Sequence, residues 1–170
     1  MAYDSVVPLL AVLVSLAAVP LILLSSNRPR LRESWTIGAA VVKFALVLSM
    51  LPAVLDGRVP VTRLGEIVPG IELVLRVDSL GMVFALVAST LWILTSIYSI
   101  GYVRDAHEHK QTRYFASFAV CLSATIGVAF SANVITFITF YEVLTIATYP
   151  LVVHKETPEA IRAGRKYLAY

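Results

Sequence analysis

The chain has 170 residues, of which 58% are apolar and 15% charged, with a mean hydropathy of +0.80. Soluble domains carry about 25% charged residues, so a water-solvated globule is excluded; so are intrinsic disorder and a disulfide scaffold, because Cys121 has no partner in the chain. A formal net charge of +3 is too small for a nucleic-acid footprint, and the composition reads as an all-α integral membrane protein.

A helix crossing the roughly 30 Å hydrocarbon core needs about 20 mostly apolar residues. Residues 6–26 meet that without a charge, and Pro8 and Pro20 are expected to bend this first span. It is not a cleavable signal peptide, since nothing basic precedes it while Arg28, Arg30 and Arg32 follow. Residues 35–55 form a second span whose one charge is Lys43. The stretch 56–77 differs in kind: Gly57, Pro60, Gly65, Pro69 and Gly70 punctuate it, and Glu72 to Val77 alternates polar with apolar. That pattern predicts a short loop or β-hairpin on the outer surface. Residues 78–102 give a third span, and 114–131 and 133–153 a close fourth and fifth pair. Thr157 as N-cap, Pro158 at the first helical position and Glu159 in the first turn open a partial helix from 158. The expected architecture is a single transmembrane domain over 1–170, with five spans and the start of a sixth.

Charge placement orients these spans. Arg28, Arg30, Arg32, Arg104, Lys110, Arg113, Lys155, Arg162, Arg165 and Lys166 fall on one side, against Arg58, Arg63 and Arg76 on the other. The positive-inside rule then puts the amino terminus outside a multi-pass protein of the cell (inner) membrane. Trp35, Tyr98, Tyr102 and Tyr114 fall at inner-interface positions, as anchoring aromatics do.

Glu142 is the most informative residue. It lies nine residues after Asn133 and eleven before Val153, near the bilayer midplane. A central acidic residue costs about 2.5–3.5 kcal/mol to insert, so it persists where it faces protein or water. At about 100° per residue, Thr139 and Thr145 flank it and Tyr149 falls nearly below it, making a polar stripe on an apolar helix. Desolvation and a movable cation act on such a carboxyl in opposite directions, which is the chemistry of a proton switch. The bland alternative is a protonated Glu serving as an interhelical hydrogen bond.

Lys43 lies eight residues inside Trp35; snorkelling to the inner surface is the favoured reading over pairing with an acid in the bundle. His154, at the inner end of span five, is a candidate for proton uptake. His107 and His109 stand in a polar loop without cysteines, which reads as solvated loop rather than metal site. Ser123, Gly127 and Ser131 recur every four residues, as small residues do where helices approach closely. No metal, haem or iron–sulfur ligand set and no phosphate loop is evident, so no cofactor and no redox site are expected in this chain.

Several segments, taken together, are similar to the antiporter-like subunits of respiratory complex I, of Mrp-type cation/proton antiporters and of membrane-bound hydrogenases. They are Arg76-Val77-Asp78-Ser79-Leu80, Tyr98-Ser99-Ile100-Gly101-Tyr102, Arg113-Tyr114-Phe115, and a series from Asn133 to Tyr167. That series contains Phe140-Tyr141-Glu142, Thr148-Tyr149-Pro150-Leu151 and Ala160-x-x-Ala163-Gly164-x-x-Tyr167, and looks most like the D-type branch of the Mrp antiporters. The resemblance covers about residues 70–170 and is specific in combination rather than in any one motif. It implies that Glu142 matches a glutamate that pairs with a lysine on helix seven to control proton movement. Many members have Trp where this chain has Tyr141.

Family members have about fourteen helices in two inverted repeats. This chain therefore reads as an amino-terminal or split piece, without the helix-seven lysine, that another polypeptide completes. Lys166 is no substitute for that lysine. The resemblance implies partners in a Mrp-like or complex I-like assembly, with H⁺ and either Na⁺ or K⁺ as the ions moved. The alternative is a non-conducting structural or assembly component, or a truncated fragment.

Overall fold

The computed structural model describes residues 1–68, 70–105 and 110–169; His107 and His109 lie outside the described residues. Among the described residues, five helices are long and apolar enough to cross a membrane. They are α1 (Val7–Leu24), α2 (Pro29–Leu55), α3 (Ser79–Asp105), α4 (Gln111–Ala129) and α5 (Val134–Val152), followed by the short α6 (Pro158–Ala169). This is the expected all-α membrane architecture. Pro8 falls in the first turn of α1, where a missing N–H breaks no helical bond, so the bend expected there has no cause. Pro20, by contrast, lies inside the helix.

The outer stretch folds as the hairpin β2 (Val59–Val68) and β3 (Ile71–Arg76), antiparallel, with a bulge where Gly65 takes φ 118°. A third strand, β1 (Ala2–Asp4), pairs parallel with β2 and was not expected. The free edge of β3 is closed by the α4–α5 turn. Arg76 N donates to Phe130 O at 2.6 Å and Ala132 N to Val74 O at 3.0 Å. An edge strand so covered has no open backbone row, and Leu75 and Val77 behind it are fully buried.

Close helix approach follows from small residues. A Cβ on Gly127 would overlap the Phe140 ring, and one on Gly81 would lie 2.7 Å from the carbonyl oxygen of Ala129. Ser123 Oγ donates to Val12 O at 2.7 Å, tying α4 to α1. The small-residue stripe of α4 is therefore a packing device against two neighbouring helices, α1 and α5. Asp78 opens α3 by accepting Gly81 N at 2.8 Å, an N-cap within the Arg76–Leu80 motif.

The opposite end of the bundle is basic. α2 begins at Pro29, six residues before the expected span, because Arg32 is buried rather than solvated. Its guanidinium donates to Gln111 Oε1 at 2.7 Å and Thr112 Oγ1 at 3.1 Å and lies 5.3 Å from the Phe115 ring centre. A charge so paired joins the helix that a hydropathy window would end.

Candidate functional site

The sheet end of α5 is held in place by polar contacts. Asn133 Oδ1 accepts Thr136 N at 2.8 Å, while its Nδ2 donates to Glu72 O at 2.9 Å. Thr136 Oγ1 in turn accepts Val74 N at 3.0 Å. Thus one capping residue and the hydroxyl one turn later dock the helix onto β3. Phe140 then fills the space that Gly127 leaves on α4.

Beyond these contacts α5 is little covered: Thr136 is its one buried residue. Glu142 is its ninth residue, about 12 Å from the first and about 15 Å from the last. The side chain is exposed on this chain, with no hydrogen bond or ion pair among the described residues. Thr139 and Thr145 are partly buried, and their hydroxyls donate to Ile135 O at 2.8 Å and Tyr141 O at 3.0 Å. Both bonds stay within the helix backbone, so the structure does not bring these threonines to the carboxyl.

Tyr149 belongs to a second contact. Its ring lies against Gly164 on α6, where an added Cβ would come within 2.9 Å of it. Next to it Thr148 Oγ1 and the Tyr167 hydroxyl are 2.6 Å apart. Sequence reasoning did not single out Thr148 as a contact; the one signal was that both residues fall in the series running from Asn133 to Tyr167.

His154 sits at the basic end, with its ring 5.7 Å from that of Tyr114 in an edge-on arrangement. Its backbone oxygen accepts Arg113 Nη2 at 3.2 Å. Two residues on, Glu156 accepts Lys110 Nζ at 2.6 Å and Arg113 Nη1 at 2.5 Å. Lys110 and then Arg113 hold its carboxyl well below the ordinary range, at about 2. Lys110 and Glu156 both take left-handed backbone, φ 52° and 53°, so the pair joins two sharp turns. It clips the α4 start to the α5–α6 turn.

Lys43 requires a correction: it does not snorkel. Its side chain is wholly buried among α2, α3 and α4, with Nζ donating to Leu122 O at 3.1 Å and lying 4.9 Å from the Trp92 ring centre. No described carboxylate pairs with it. Leu122 and Trp92 come from distant parts of the chain, so no local pattern around Lys43 revealed this. No group of three His, Cys, Asp or Glu among the described residues is placed to hold a metal ion.

Residues 69–115 match the family NADH-Ubiquinone oxidoreductase (complex I), chain 5 N-terminus. Over 122 residues the chain is 30% identical to a probable K(+)/H(+) antiporter A/B subunit of Rhizobium meliloti (strain 1021), covering 70% of this chain and 12% of that protein. The chain thus spans a small part of the length of that relative. In fold it is similar to a chain of the membrane-bound sulfane sulfur reductase, an archaeal respiratory membrane complex. There the TM-score is 0.84 at 19% identity, covering 97% of this chain and 34% of that one. A chain of the Mrp complex from Dietzia sp. DQ12-45-1b gives 0.76 at 20% identity, covering 96% and 30%. None of these three similarities singles out the D-type Mrp branch, so that finer likeness rests on the sequence motifs alone. Five membrane-length helices, the capped third helix inside the matched segment and these similarities together show that the chain belongs to the antiporter-like membrane-subunit family of complex I and Mrp assemblies.

Proposed function

We propose that this chain is the amino-terminal part of a proton- and monovalent-cation-translocating subunit, with Glu142 as the carboxylate that switches protonation at mid-membrane. The observation that carries the reading is the state of α5. A helix apolar enough to span a membrane holds an acid near its midpoint, on a face where Ile138, Glu142 and Ile146 are left exposed by the described residues. An acid facing acyl chains is costly. Further helices, from a continuation of the polypeptide or from a companion protein, would cover that face and bring a cation to Glu142. Near a cation the carboxyl ionises; away from it burial favours the protonated form, and alternation between the two moves a proton.

Thr139, Thr145 and Tyr149 would line the same path, the threonine hydroxyls free to accept a further bond while donating to the helix. His154, beside Tyr114 at the basic end, would serve proton uptake. The strong bias of Lys and Arg to that end supports a cytoplasmic placement for it, in the inner membrane, with the amino terminus outside. H⁺ is exchanged for Na⁺ or K⁺ in this reading, within a Mrp-like or complex I-like assembly.

The test is Glu142→Gln in the complete assembly, reconstituted in vesicles, with cation-dependent pH gradients as the readout. Loss of the gradient with normal assembly is expected. Unchanged transport would remove Glu142 from the mechanism and favour a non-conducting assembly component.

A further inference from the structure

The interior of α1–α4 divides into two apolar clusters. Ala11, Val47, Ala85 and Ile126 belong to the one nearer the sheet; Ala18, Ala40, Trp92 and Ala119 belong to the one nearer the basic end. Each of these four helices passes from one cluster to the other, and each carries a buried polar residue at the crossing. These are Ser15 on α1, Lys43 on α2, Ser89 on α3 and Ser123 on α4, with exposures of 0, 0, 1 and 4%. Four helices thus contribute to one polar layer across an otherwise apolar core.

The layer is only half satisfied. Ser89 Oγ donates to Ala85 O at 2.6 Å, and Ser123 Oγ to Val12 O. Among the described residues Ser15 Oγ has no partner, and neither do Trp92 Nε1, one turn beyond the layer, and Ser96 Oγ, two turns beyond it. The Lys43 ammonium has three protons to give, against one carbonyl and one aromatic face. Buried polar atoms in native interiors are paired with protein or with ordered water, and an internal water makes two to four such bonds, about three on average. Several unmatched groups on neighbouring helices are the usual surroundings of one.

We propose that this layer is an internal hydrated site in which Lys43 holds water shared with Ser15, Trp92 and Ser96. It gives the bundle a protonatable group with solvent contact, separate from Glu142. A polar line leads from it to the basic end: Ser96 is followed one turn on by Ser99, whose Oγ is 3.5 Å from the Tyr114 hydroxyl, and the Tyr114 ring meets that of His154. Glu142 lies outside this enclosure, on the uncovered side of α5. The inference extends the translocation reading by a second protonatable residue, yet the existence of the site does not depend on Glu142.

The experiment is a map of the complete assembly that resolves ordered water, for the natural chain, Ser15→Ala and Lys43→Met, with vesicle transport measured beside Glu142→Gln. The expected result is water bonded to Lys43 Nζ and Ser15 Oγ in the natural chain, displaced in Ser15→Ala. Lys43→Met is expected to empty the layer and to lose cation-dependent transport. A dry layer in the natural chain, or normal transport by Lys43→Met, overturns the inference. A dry layer with Glu142→Gln inactive would sink this site and spare the proposed function, whereas a wet layer with Glu142→Gln fully active would do the reverse.

Discussion

Gly127 gives the sharpest stability test, because two effects of known size oppose each other there. Replacing it with alanine in a helix interior gains about 0.8–1 kcal/mol of helix propensity. The new Cβ, however, would overlap Phe140 Cδ1 and Cγ and stand 2.5 Å from Cε1, well inside contact distance. Cγ is fixed close to the α5 backbone, so rotating the ring gives no relief and the helices must separate. Overpacking of this kind costs typically about 1–3 kcal/mol, so a net loss of up to about 2 kcal/mol is expected. Phe140→Ala removes Cγ together with the ring, and with them the collision. The double variant Gly127→Ala/Phe140→Ala should therefore cost less than the sum of the single changes, by about 0.5–3 kcal/mol of coupling. Reversible unfolding in mixed micelles, or thermal retention of the complete assembly, would report this. Strict additivity, or a Gly127→Ala variant more stable than the natural chain, would refute the close α4–α5 approach.

Three further outcomes follow from individual contacts. Gly81→Ala would place a Cβ 2.7 Å from the Ala129 carbonyl oxygen, a backbone atom that cannot rotate away, so about 1–3 kcal/mol of destabilisation is expected in the same unfolding assay. Thr136→Val keeps the shape of a buried residue but takes the acceptor from Val74 N; a loss of about 1–3 kcal/mol and faster amide exchange at Val74 are expected. The Glu156 clip has a definite pH sign. A carboxyl held at about 2, against an ordinary 4.5, contributes above pH 4.5 and loses that contribution as pH falls towards 2. Glu156→Gln should flatten the stability profile in that window, by an amount that shrinks with added salt because the pair is exposed.

The helices were legible because crossing a membrane demands long apolar runs, and the hairpin because glycines, prolines and alternation mark strands even in a short stretch. What escaped depended on partners far away in sequence. β1 is three residues long, too few to show a period, and exists because β2 lies alongside it. The first turns of α2 read as loop since Arg30, Arg32 and Glu33 lower the hydropathy there. Arg32 is nevertheless buried, because Gln111 and Thr112, about eighty positions on, accept hydrogen bonds from its guanidinium. Lys43 turned inward for the same reason, drawn to a carbonyl on α4 and a ring on α3. Around Glu142 the sequence showed a stripe by angle alone. Angle does not say where hydroxyl protons go, and Thr139 and Thr145 spend theirs on their own helix. Thr148 has the interhelical partner instead, the Tyr167 hydroxyl.

The central claim is that Glu142 changes protonation as ions are exchanged, and infrared difference spectroscopy on the complete assembly reads that directly. Shifting reconstituted complexes between proton-loaded and cation-loaded conditions should change a carboxylic C=O band that Glu142→Gln abolishes. A difference spectrum identical in the natural chain and the Gln variant would show a side chain that keeps one state throughout, and would contradict the account.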